Sequence, residues 1–229
     1  MPTVSKRMKE ATSAINASTT YPMEEAVTLA LAASKVKFDA SVEVHFRLGI
    51  DPKKGDQQVR STITLPHGSG KSKRVAVFVS ADKVEEARAA GADVVMDDQD
   101  IEKISQSKVI DFDVAIATPD MMPKLAKIAQ ILGPKGLMPN PKTDTVGTNV
   151  GKMVEDQKGG KIAFKNDNTS NVHVIIGKVS FGPEKVKENL VAIIDSVKKA
   201  KPASSKGIYI KSATITTSMG PGVRFSVEA

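Results

Sequence analysis

The chain has 229 residues, 40% of them hydrophobic and 26% charged, which is typical of a globular protein of one or two domains. It contains no cysteine, so disulfides, thiolate nucleophiles and zinc–cysteine sites are excluded. No apolar run is long enough to span a membrane, and the charged start MPTVSKRMKEATSAIN lacks the apolar core of a signal peptide, so we expect a cytoplasmic protein. The formal net charge of +7 favours a polyanionic partner.

The first part of the chain has the pattern of an α+β domain. A helix is predicted over residues 22–34, which present a broad apolar face. Over residues 42–50 apolar and polar side chains alternate, as in a half-buried antiparallel strand, and residues 59–65 repeat much of this alternation. We expect these two strands to pair as a hairpin. The polar face of the first strand is predicted to carry Glu43, His45 and Arg47.

The pattern changes at residues 75–79, where a continuous apolar run predicts a strand that is buried on both faces. Helical and strand-like segments then alternate to residue 132, as in right-handed βαβ units over a parallel sheet, and a helix over residues 150–157 ends the block. No GxGxxG sequence follows the first strand, and Gly70-Lys71-Ser72 lacks the first glycine of a P-loop. The sequence therefore supports neither a dinucleotide site nor a P-loop.

The alternating pattern returns in the last part of the chain. Strands are predicted at residues 162–164 and 172–176, a long helix follows from residue 183 to residue 201, and two closing strands lie at 208–216 and 223–227. The sequence therefore predicts an α+β split domain, an antiparallel sheet with packed helices, over residues 1–67 and 160–229. An inserted three-layer α/β Rossmann-like domain, residues 68–159, interrupts it.

The two crossings between these predicted domains are rich in glycine, which tolerates large changes in backbone angles. We interpret them as a hinge about which the insert moves as a nearly rigid body. The predicted hinge residues are Pro66, Gly68, Gly70, Gly159 and Gly160.

Charge is divided unevenly between the predicted domains. Residues 68–159 contain 13 Lys and Arg against 14 Asp and Glu, a net charge of −1, which leaves a net charge of +8 for the split domain. If the partner is a nucleic acid, phosphate attraction assigns the main contact to the split domain. The alternative is a solvated basic surface without a partner.

A loop rich in proline and glycine follows the apolar helical run of residues 125–132. Gly133-Pro134 has the glycine-then-proline composition that stops a helix, and the prolines that follow stiffen the backbone. The alternative is a plain connection between two elements. The predicted loop residues are Gly133, Pro134, Lys135, Gly136, Pro139 and Pro141.

The sequence of this loop, GPKGLMPNPK, closely resembles the signature segment of the bacterial large-subunit ribosomal protein one family. The resemblance continues in order through VKFDASVEVHFRLGIDPKKGDQQVR, LPHGSGK, ATPD, FKND and TTSMGPGVR, and so covers nearly the whole chain. It implies a non-enzymatic protein of the ribosome that needs no cofactor, membrane or small-molecule substrate. The implied partners are 23S rRNA, tRNA leaving the exit site beside the mobile stalk, and the mRNA of the protein's own operon, whose translation it represses.

Two stretches are predicted to contact RNA. One combines hydroxyl side chains with a glycine turn, which suits ribose and phosphate hydrogen bonds and a close backbone approach, although threonine-rich segments are often merely good strands. The second holds a phenylalanine that can stack on nucleotides or else belong to the core. The family resemblance favours contact in both. The predicted RNA-binding residues are Lys37, Phe38, Ser41, Glu43, Thr214, Thr216, Thr217, Ser218, Met219 and Gly220.

No catalytic residues are predicted, because no nucleophile, base and acid stand together in the sequence. The three histidines, His45, His67 and His173, lack metal-ligand spacing, so no metal site is predicted. The best alternative function is a phosphate- or nucleotide-binding α/β enzyme that uses the C-terminal edge of the inserted sheet, with Thr118-Pro119-Asp120 and the Lys135 loop. A purely structural interaction module is the second alternative.

Overall fold

The computed structural model describes residues 5–16 and 18–227. The chain forms two compact units. The discontinuous unit comprises Met1–Gly70 and Ile162–Ala229, and the central unit, which lies in the middle of the sequence, comprises Lys71–Lys161. The boundaries between the units therefore lie two or three residues beyond the predicted ones at 67/68 and 159/160.

The described residues form helices and strands that are linked by turns and short 3-10 helices. In chain order they are α1 (Lys6–Ser13), α2 (Met23–Ala32), β1 (Ser41–Leu48), β2 (Arg60–Thr64), β3 (Val75–Phe78), α3 (Val84–Ala89), β4 (Val94–Met96), α4 (Asp98–Ser107), β5 (Val114–Ala117), α5 (Met122–Leu125), α6 (Ala129–Leu132), α7 (Val150–Lys158), β6 (Lys161–Lys165), β7 (Asn171–Lys178), α8 (Gly182–Lys199), β8 (Ile210–Thr217) and β9 (Val223–Phe225). Helix α1 was not predicted from the sequence.

The discontinuous unit is built on a four-stranded antiparallel sheet with the strand order β7-β1-β8-β9. Side chains alternate between its two faces, as strand geometry requires. One face is buried and packs against α2 and α8, and its core includes Val44, Phe46 and Ile215. The other, which we call the open face, carries the polar residues of each strand. On β1 these are Glu43, His45 and Arg47, as the alternation predicted.

The predicted hairpin between the strands at 42–50 and 59–65 is wrong, because β2 pairs with β6 and not with β1. Both edges of β1 are already occupied by β7 and β8. The second strand is instead fixed to Asn166, just after β6: the Val59 N–H donates to Asn166 Oδ1 at 2.8 Å, and the Asn166 N–H donates to the Val59 carbonyl at 3.0 Å. A long-range partner therefore replaced the local one that the sequence suggested.

The central unit contains a parallel sheet with the order β4-β3-β5, as the alternation of helices and strands predicted. Every residue of β3 is buried, and its side chains point alternately into two separate cores. Ala76 and Phe78 pack towards α4, α5 and α6, whereas Val75 and Val77 pack towards α3 and α7. Helices therefore cover both faces of this sheet. Among the described residues, no helix has the length and apolar character needed to cross a membrane.

Candidate nucleic-acid interface

The two stretches predicted to contact RNA are joined in the structure, although they are more than 170 residues apart in the sequence. Strands β1 and β8 are antiparallel neighbours, with Val42 opposite Thr217, so the start of one lies beside the end of the other. The Ser218 N–H donates to the Ser41 carbonyl at 2.9 Å, and the Ser41 N–H donates to Ser218 Oγ at 3.1 Å. We call the joined segments 37–41 and 216–221 the paired loops.

The paired loops expose two large apolar side chains. Phe38 is 56% exposed and Met219 is 68% exposed. The alternative interpretation of Phe38 as a core residue is therefore wrong. Exposed aromatic and apolar side chains on a polar background can stack on or wedge between nucleotide bases, so both are suited to contact an unpaired or splayed RNA segment.

Met219 adopts a backbone conformation that side-chain-bearing residues rarely occupy, with a φ of +63°. Two hydrogen bonds hold it there. The Arg7 guanidinium donates from Nη1 to the Met219 carbonyl at 2.9 Å, and the Gly220 N–H donates to the Thr217 carbonyl at 2.8 Å. Strain of this kind persists where the surroundings enforce it, and it is concentrated at functional sites. Sequence reasoning missed Arg7, because no local pattern connects α1 with the other end of the chain.

The threonines of the paired loops have different roles. The hydroxyl of Thr216 lies 3.3 Å from the Gly220 carbonyl and 3.2 Å from the Pro221 carbonyl, which helps to hold the turn. Thr217 is only 2% exposed, and its hydroxyl has no partner among the described residues. A Cβ at Gly220 would clash with that hydroxyl. We therefore expect Thr217 to shape the turn, because in this structure its side chain does not reach the surface.

The segment that carries Phe38 is anchored through the residues that follow it, Asp39 and Ser41. The Asp39 carboxylate accepts from the Ser180 hydroxyl at 2.8 Å and from the Ser180 N–H at 3.1 Å. Lys178 Nζ donates to the Asp39 carbonyl and to Ser41 Oγ, both at 3.1 Å. Lys37 is exposed, whereas Ser41 is buried. The hydrogen bonds fix the backbone, so Phe38 is presented from a defined position and less entropy is lost on binding.

The open face of the sheet continues from the paired loops. Glu43 lies opposite Thr216, and one step further along β1 the next outward-facing residue, His45, lies between His173 of β7 and Thr214 of β8. The Nδ1 atoms of His45 and His173 are 2.8 Å apart. Burial, and then the nearby His173, lower the pKa of His45 below its ordinary value, while Glu43 opposes the shift. The spacing of the histidines in the sequence gave no sign of this pair.

The first predicted hinge segment is bound to α8 through Asn189, which is fully buried. Its side-chain carbonyl accepts from the His67 N–H at 3.1 Å, and its amide donates to the carbonyls of Gly68 at 3.0 Å and Ile176 at 2.7 Å. Gly70 packs against Phe181. Residues 67–70 are thus held by the discontinuous unit, which the sequence did not indicate.

The predicted hinge glycines differ in backbone conformation. Gly68, Gly70 and Gly160 have φ angles of +66°, +71° and +94°, which side-chain-bearing residues rarely adopt. Gly159 has a φ of −69° and follows the end of α7, and Pro66 is exposed.

The signature loop begins where predicted, since α6 ends at Leu132. Gly133 is the C-cap of this helix, as predicted, and the glycine with a left-handed backbone is Gly136, three residues further on. Gly133 keeps a helical φ of −59°, whereas Gly136 has a φ of +70° and donates its N–H to the Gly133 carbonyl at 3.0 Å. The Leu137 N–H then donates to the Leu132 carbonyl at 3.0 Å, which satisfies a carbonyl of the helix end.

The rest of the signature loop is fixed to the central unit's sheet. Asn140 Oδ1 accepts from the Lys142 N–H at 2.8 Å, and the Asn140 N–H donates to Thr145 Oγ1 at 2.8 Å. Residues on either side of Val146 then bond to Ala117 at the end of β5. Pro139 is buried, Pro141 starts a single 3-10 turn, and Pro134 and Lys135 are exposed.

The alternative enzyme site was expected at the C-terminal edge of the central sheet. The residues described there include few groups that could bind or react with a ligand. Thr118 is buried and its hydroxyl has no partner among the described residues, while Pro119 and Asp120 are exposed. In the part of the chain that the structure describes, no three His, Asp or Glu side chains are grouped to hold a metal ion. The edge beside Ala117 is occupied by the chain at Val146.

The positive charge of the protein belongs to the discontinuous unit. With the structural boundaries, the central unit has 14 basic and 14 acidic residues, so the whole net charge of +7 lies in the discontinuous unit. The paired loops and the open face are therefore part of the basic unit. This charge distribution favours a polyanion as the ligand of that unit.

Comparison with known proteins gives a consistent match. Residues 30–221 match the model of the family described as "Ribosomal protein L1p/L10e family". The chain is 54% identical over 219 residues to the "Large ribosomal subunit protein uL1" of Thermobifida fusca, which covers 96% of this chain and 93% of that protein. The proteins of the same name from Salinispora arenicola and Mycolicibacterium smegmatis are 55% and 54% identical over 219 residues, with 96% of this chain and 92% and 93% of those proteins covered.

Proposed function

Because the chain belongs to the Ribosomal protein L1p/L10e family and is a protein of the large ribosomal subunit, we propose that it binds 23S rRNA directly through its discontinuous unit. The contact surface consists of the paired loops and the open face of the four-stranded sheet. As a ribosomal protein it works in the cytoplasm. Its relatives are ribosomal proteins and not enzymes, so the alternative of a nucleotide-binding enzyme is set aside.

The observation that carries the proposal is the exposure of Phe38 and Met219 on two loops that hydrogen bonds lock together. The exposed Phe38 ring leaves apolar area that a partner can bury, and the strained backbone at Met219 has a free-energy cost that folding alone does not require. Both features are explained if RNA bases stack on these side chains. The net charge of +7 on the same unit supplies the attraction to phosphate that most RNA contacts need.

Two further partners follow from the resemblance to the family. We propose that the protein belongs to the mobile stalk beside the exit site, where it contacts deacylated tRNA and assists its release. We also propose that it represses translation of its own operon mRNA, which would bind the same paired loops through a mimic of the rRNA site. A shared surface requires that rRNA and mRNA exclude each other, so a repressor role is tested by competition between the two RNAs for one molecule of protein.

The proposed function is tested by removing the two exposed side chains. We expect Phe38→Ala and Met219→Ala each to weaken binding to 23S rRNA by about fivefold to a hundredfold, the range for loss of a stacking contact. The matched control is Ile208→Ala, because Ile208 is 76% exposed in the same unit but lies beside the opposite end of β1, where Leu48 faces Ile210. Filter binding at a fixed salt concentration measures all three. Equal affinities for Phe38→Ala, Met219→Ala and Ile208→Ala would refute the assignment of the interface.

A further inference from the structure

A row of polar side chains crosses the open face at right angles to the strands. The strand register places His173 opposite His45, His45 opposite Thr214, and Thr214 opposite Arg224. Neighbouring strands are about 4.8 Å apart, so the row is about 14 Å long. Along β1 the row is one outward-facing position beyond Glu43, which lies opposite Thr216. The row is therefore about 7 Å from Thr216, whose hydroxyl helps to hold the paired loops.

The two histidines at one end of the row share a single hydrogen bond. Their Nδ1 atoms are 2.8 Å apart and their rings meet edge to face, with centroids 4.9 Å apart. One Nδ1 must donate and the other must accept, so only one of the two can carry a proton while the bond exists. The neutral pair carries two protons, one on each ring. A third proton, added to the unprotonated Nε2 of the donor ring, makes the pair a single cation and keeps the bond. A fourth would break it and place two positive rings in contact.

The charges around the pair are few. His45 Nε2 is 4.0 Å from the Glu43 carboxylate, and His173 Nε2 is 3.6 Å from that of Asp167, in the turn before β7. The Thr169 hydroxyl, and then the Asn171 N–H, hold the pKa of Asp167 well below its usual range, so it stays charged. The other residues at outward-facing positions of the four strands near the pair are Arg47, Asn171, Ile175, Ser212, Thr214, Thr216 and Arg224.

We propose that the His45–His173 pair is a proton-linked contact for a backbone phosphate of the bound RNA. A phosphate above the row lies between the pair and Arg224, and binding is accompanied by uptake of one proton by the pair. The partly exposed imidazole rings donate to the phosphate oxygens from Nε2, and Thr214 between them and Arg224 supplies a hydroxyl. This inference rests on the proposed function, since it assigns a ligand group to one part of the same RNA-binding surface.

The direction of the pH effect follows from the geometry. In the free protein, burial, and then the nearby His173, lower the pKa of His45 and so disfavour a charge on it, while Glu43 opposes the shift. A bound phosphate favours the cation and raises the pKa of the pair. RNA affinity therefore increases as the pH falls and is lost as the pH rises through the raised pKa. Uptake of one proton changes the binding constant by at most about tenfold per pH unit.

The test uses the full-length chain, 23S rRNA and constant ionic strength between about pH 6 and pH 8. The double variant His45→Gln/His173→Gln removes the pair. The matched control is His67→Gln, because His67 is the third histidine of the chain and pairs with Glu188 away from the open face. We expect the unsubstituted protein and His67→Gln to gain about threefold to tenfold in affinity per pH unit on acidification, beyond any gain of the double variant.

The same RNA is used with every variant, so its own titration cancels in the comparison. Equal pH dependence in the unsubstituted protein and the double variant would overturn the proton-linked contact and leave the proposed function intact. Absence of specific rRNA binding at every pH would instead overturn the proposed function and this inference with it.

A second measurement needs no substitution in the pair. Calorimetric titration of the unsubstituted protein and of His67→Gln with 23S rRNA, in two buffers of different ionisation enthalpy, counts the protons taken up. We expect about one proton per complex near pH 6.5 in both proteins, after subtraction of the value for the double variant where it folds. Uptake of no proton by the unsubstituted protein overturns the proposal, whatever the stability of the double variant.

Discussion

Met219 has both a highly exposed side chain and a strained backbone, and contact with an RNA base would explain both properties. A left-handed φ disfavours any residue with a side chain, and glycine would relieve the strain. The neighbouring Gly220 is required, because a Cβ there would clash with Thr217. Methionine at position 219 is therefore not the residue that stability alone would select, and a flexible, polarisable side chain suits contact with an irregular apolar surface such as an unstacked base.

Met219→Gly should separate stability from binding. We expect its free energy of unfolding to rise by about 1 kcal/mol, because the strain is removed, while rRNA affinity falls. Lys108→Gly is the matched control, since Lys108 is exposed, has a φ of +56° and belongs to the central unit. The Lys108→Gly variant should gain a similar amount of stability and keep the parent's affinity for 23S rRNA. Urea unfolding and filter binding measure the two quantities, and a Met219→Gly variant that is less stable than the parent would contradict the assignment of strain.

The residues that complete the interface could not be predicted from the sequence, because their partners are distant. Arg7 and Ser180 each bond to residues at least 141 positions away, and neither belongs to a local motif. Phe38 and Met219 were predicted because they lie in segments that resemble the ribosomal family. The residue pattern alone left the exposure of Phe38 open, since a phenylalanine before a strand is usually part of a core.

At the scale of elements, local periodicity predicted most strands and helices, and the errors are the pairing of β2 and the missed helix α1. The parallel sheet of the central unit follows from its alternation of strands and helices, since α3 and α4 each serve as the crossover between two parallel strands. The pairing of β2 with β6 could not be predicted, because it depends on Asn166 and on the occupied edges of β1. Helix α1 was missed because it is mostly polar, with Ala11 as its one buried residue among those described.

The segment that carries Phe38 gives an element-scale prediction. Asp39→Ala removes both hydrogen bonds to Ser180, so the segment should become mobile and rRNA affinity should fall by about threefold to tenfold, the cost of ordering one or two side chains on binding. The charge-matched control is Asp56→Ala, an exposed carboxylate in the same unit. Ser180→Ala should add little to Asp39→Ala, because the two act as one pair. Fully additive losses in a double-mutant cycle would exclude this anchoring role.

At the scale of the whole molecule, two compact units are joined by two short crossings. The interpretation of these crossings as a hinge stays a prediction. Because Asn189 holds His67 and Gly68, and Gly70 packs against Phe181, we expect the mobile part of the first crossing to start at Lys71. This lies beyond the predicted hinge residues Pro66, Gly68 and Gly70. At the second crossing, Gly160 has a φ of +94°. Any residue with a side chain would be strained at this position.

We propose that RNA binding belongs to the discontinuous unit and not to the central unit. The paired loops, the open face and the whole net charge of +7 all lie in the discontinuous unit. That unit also has its own core, which includes Phe46, Leu190 and Ile215. It should therefore fold and bind RNA without the central unit. The central unit, with equal numbers of acidic and basic residues, should have little affinity for 23S rRNA by itself.

The most direct measurement joins residues 1–70 to residues 161–229 through a short glycine linker, so that β6 stays whole, and compares 23S rRNA binding with that of the full chain at one salt concentration. Thermal unfolding first establishes that the joined protein is folded. We expect its affinity to lie within about tenfold of the full chain's, a difference of about 1.4 kcal/mol. A folded protein whose affinity for 23S rRNA is no higher than for unrelated RNA would contradict the claim that the discontinuous unit holds the binding site.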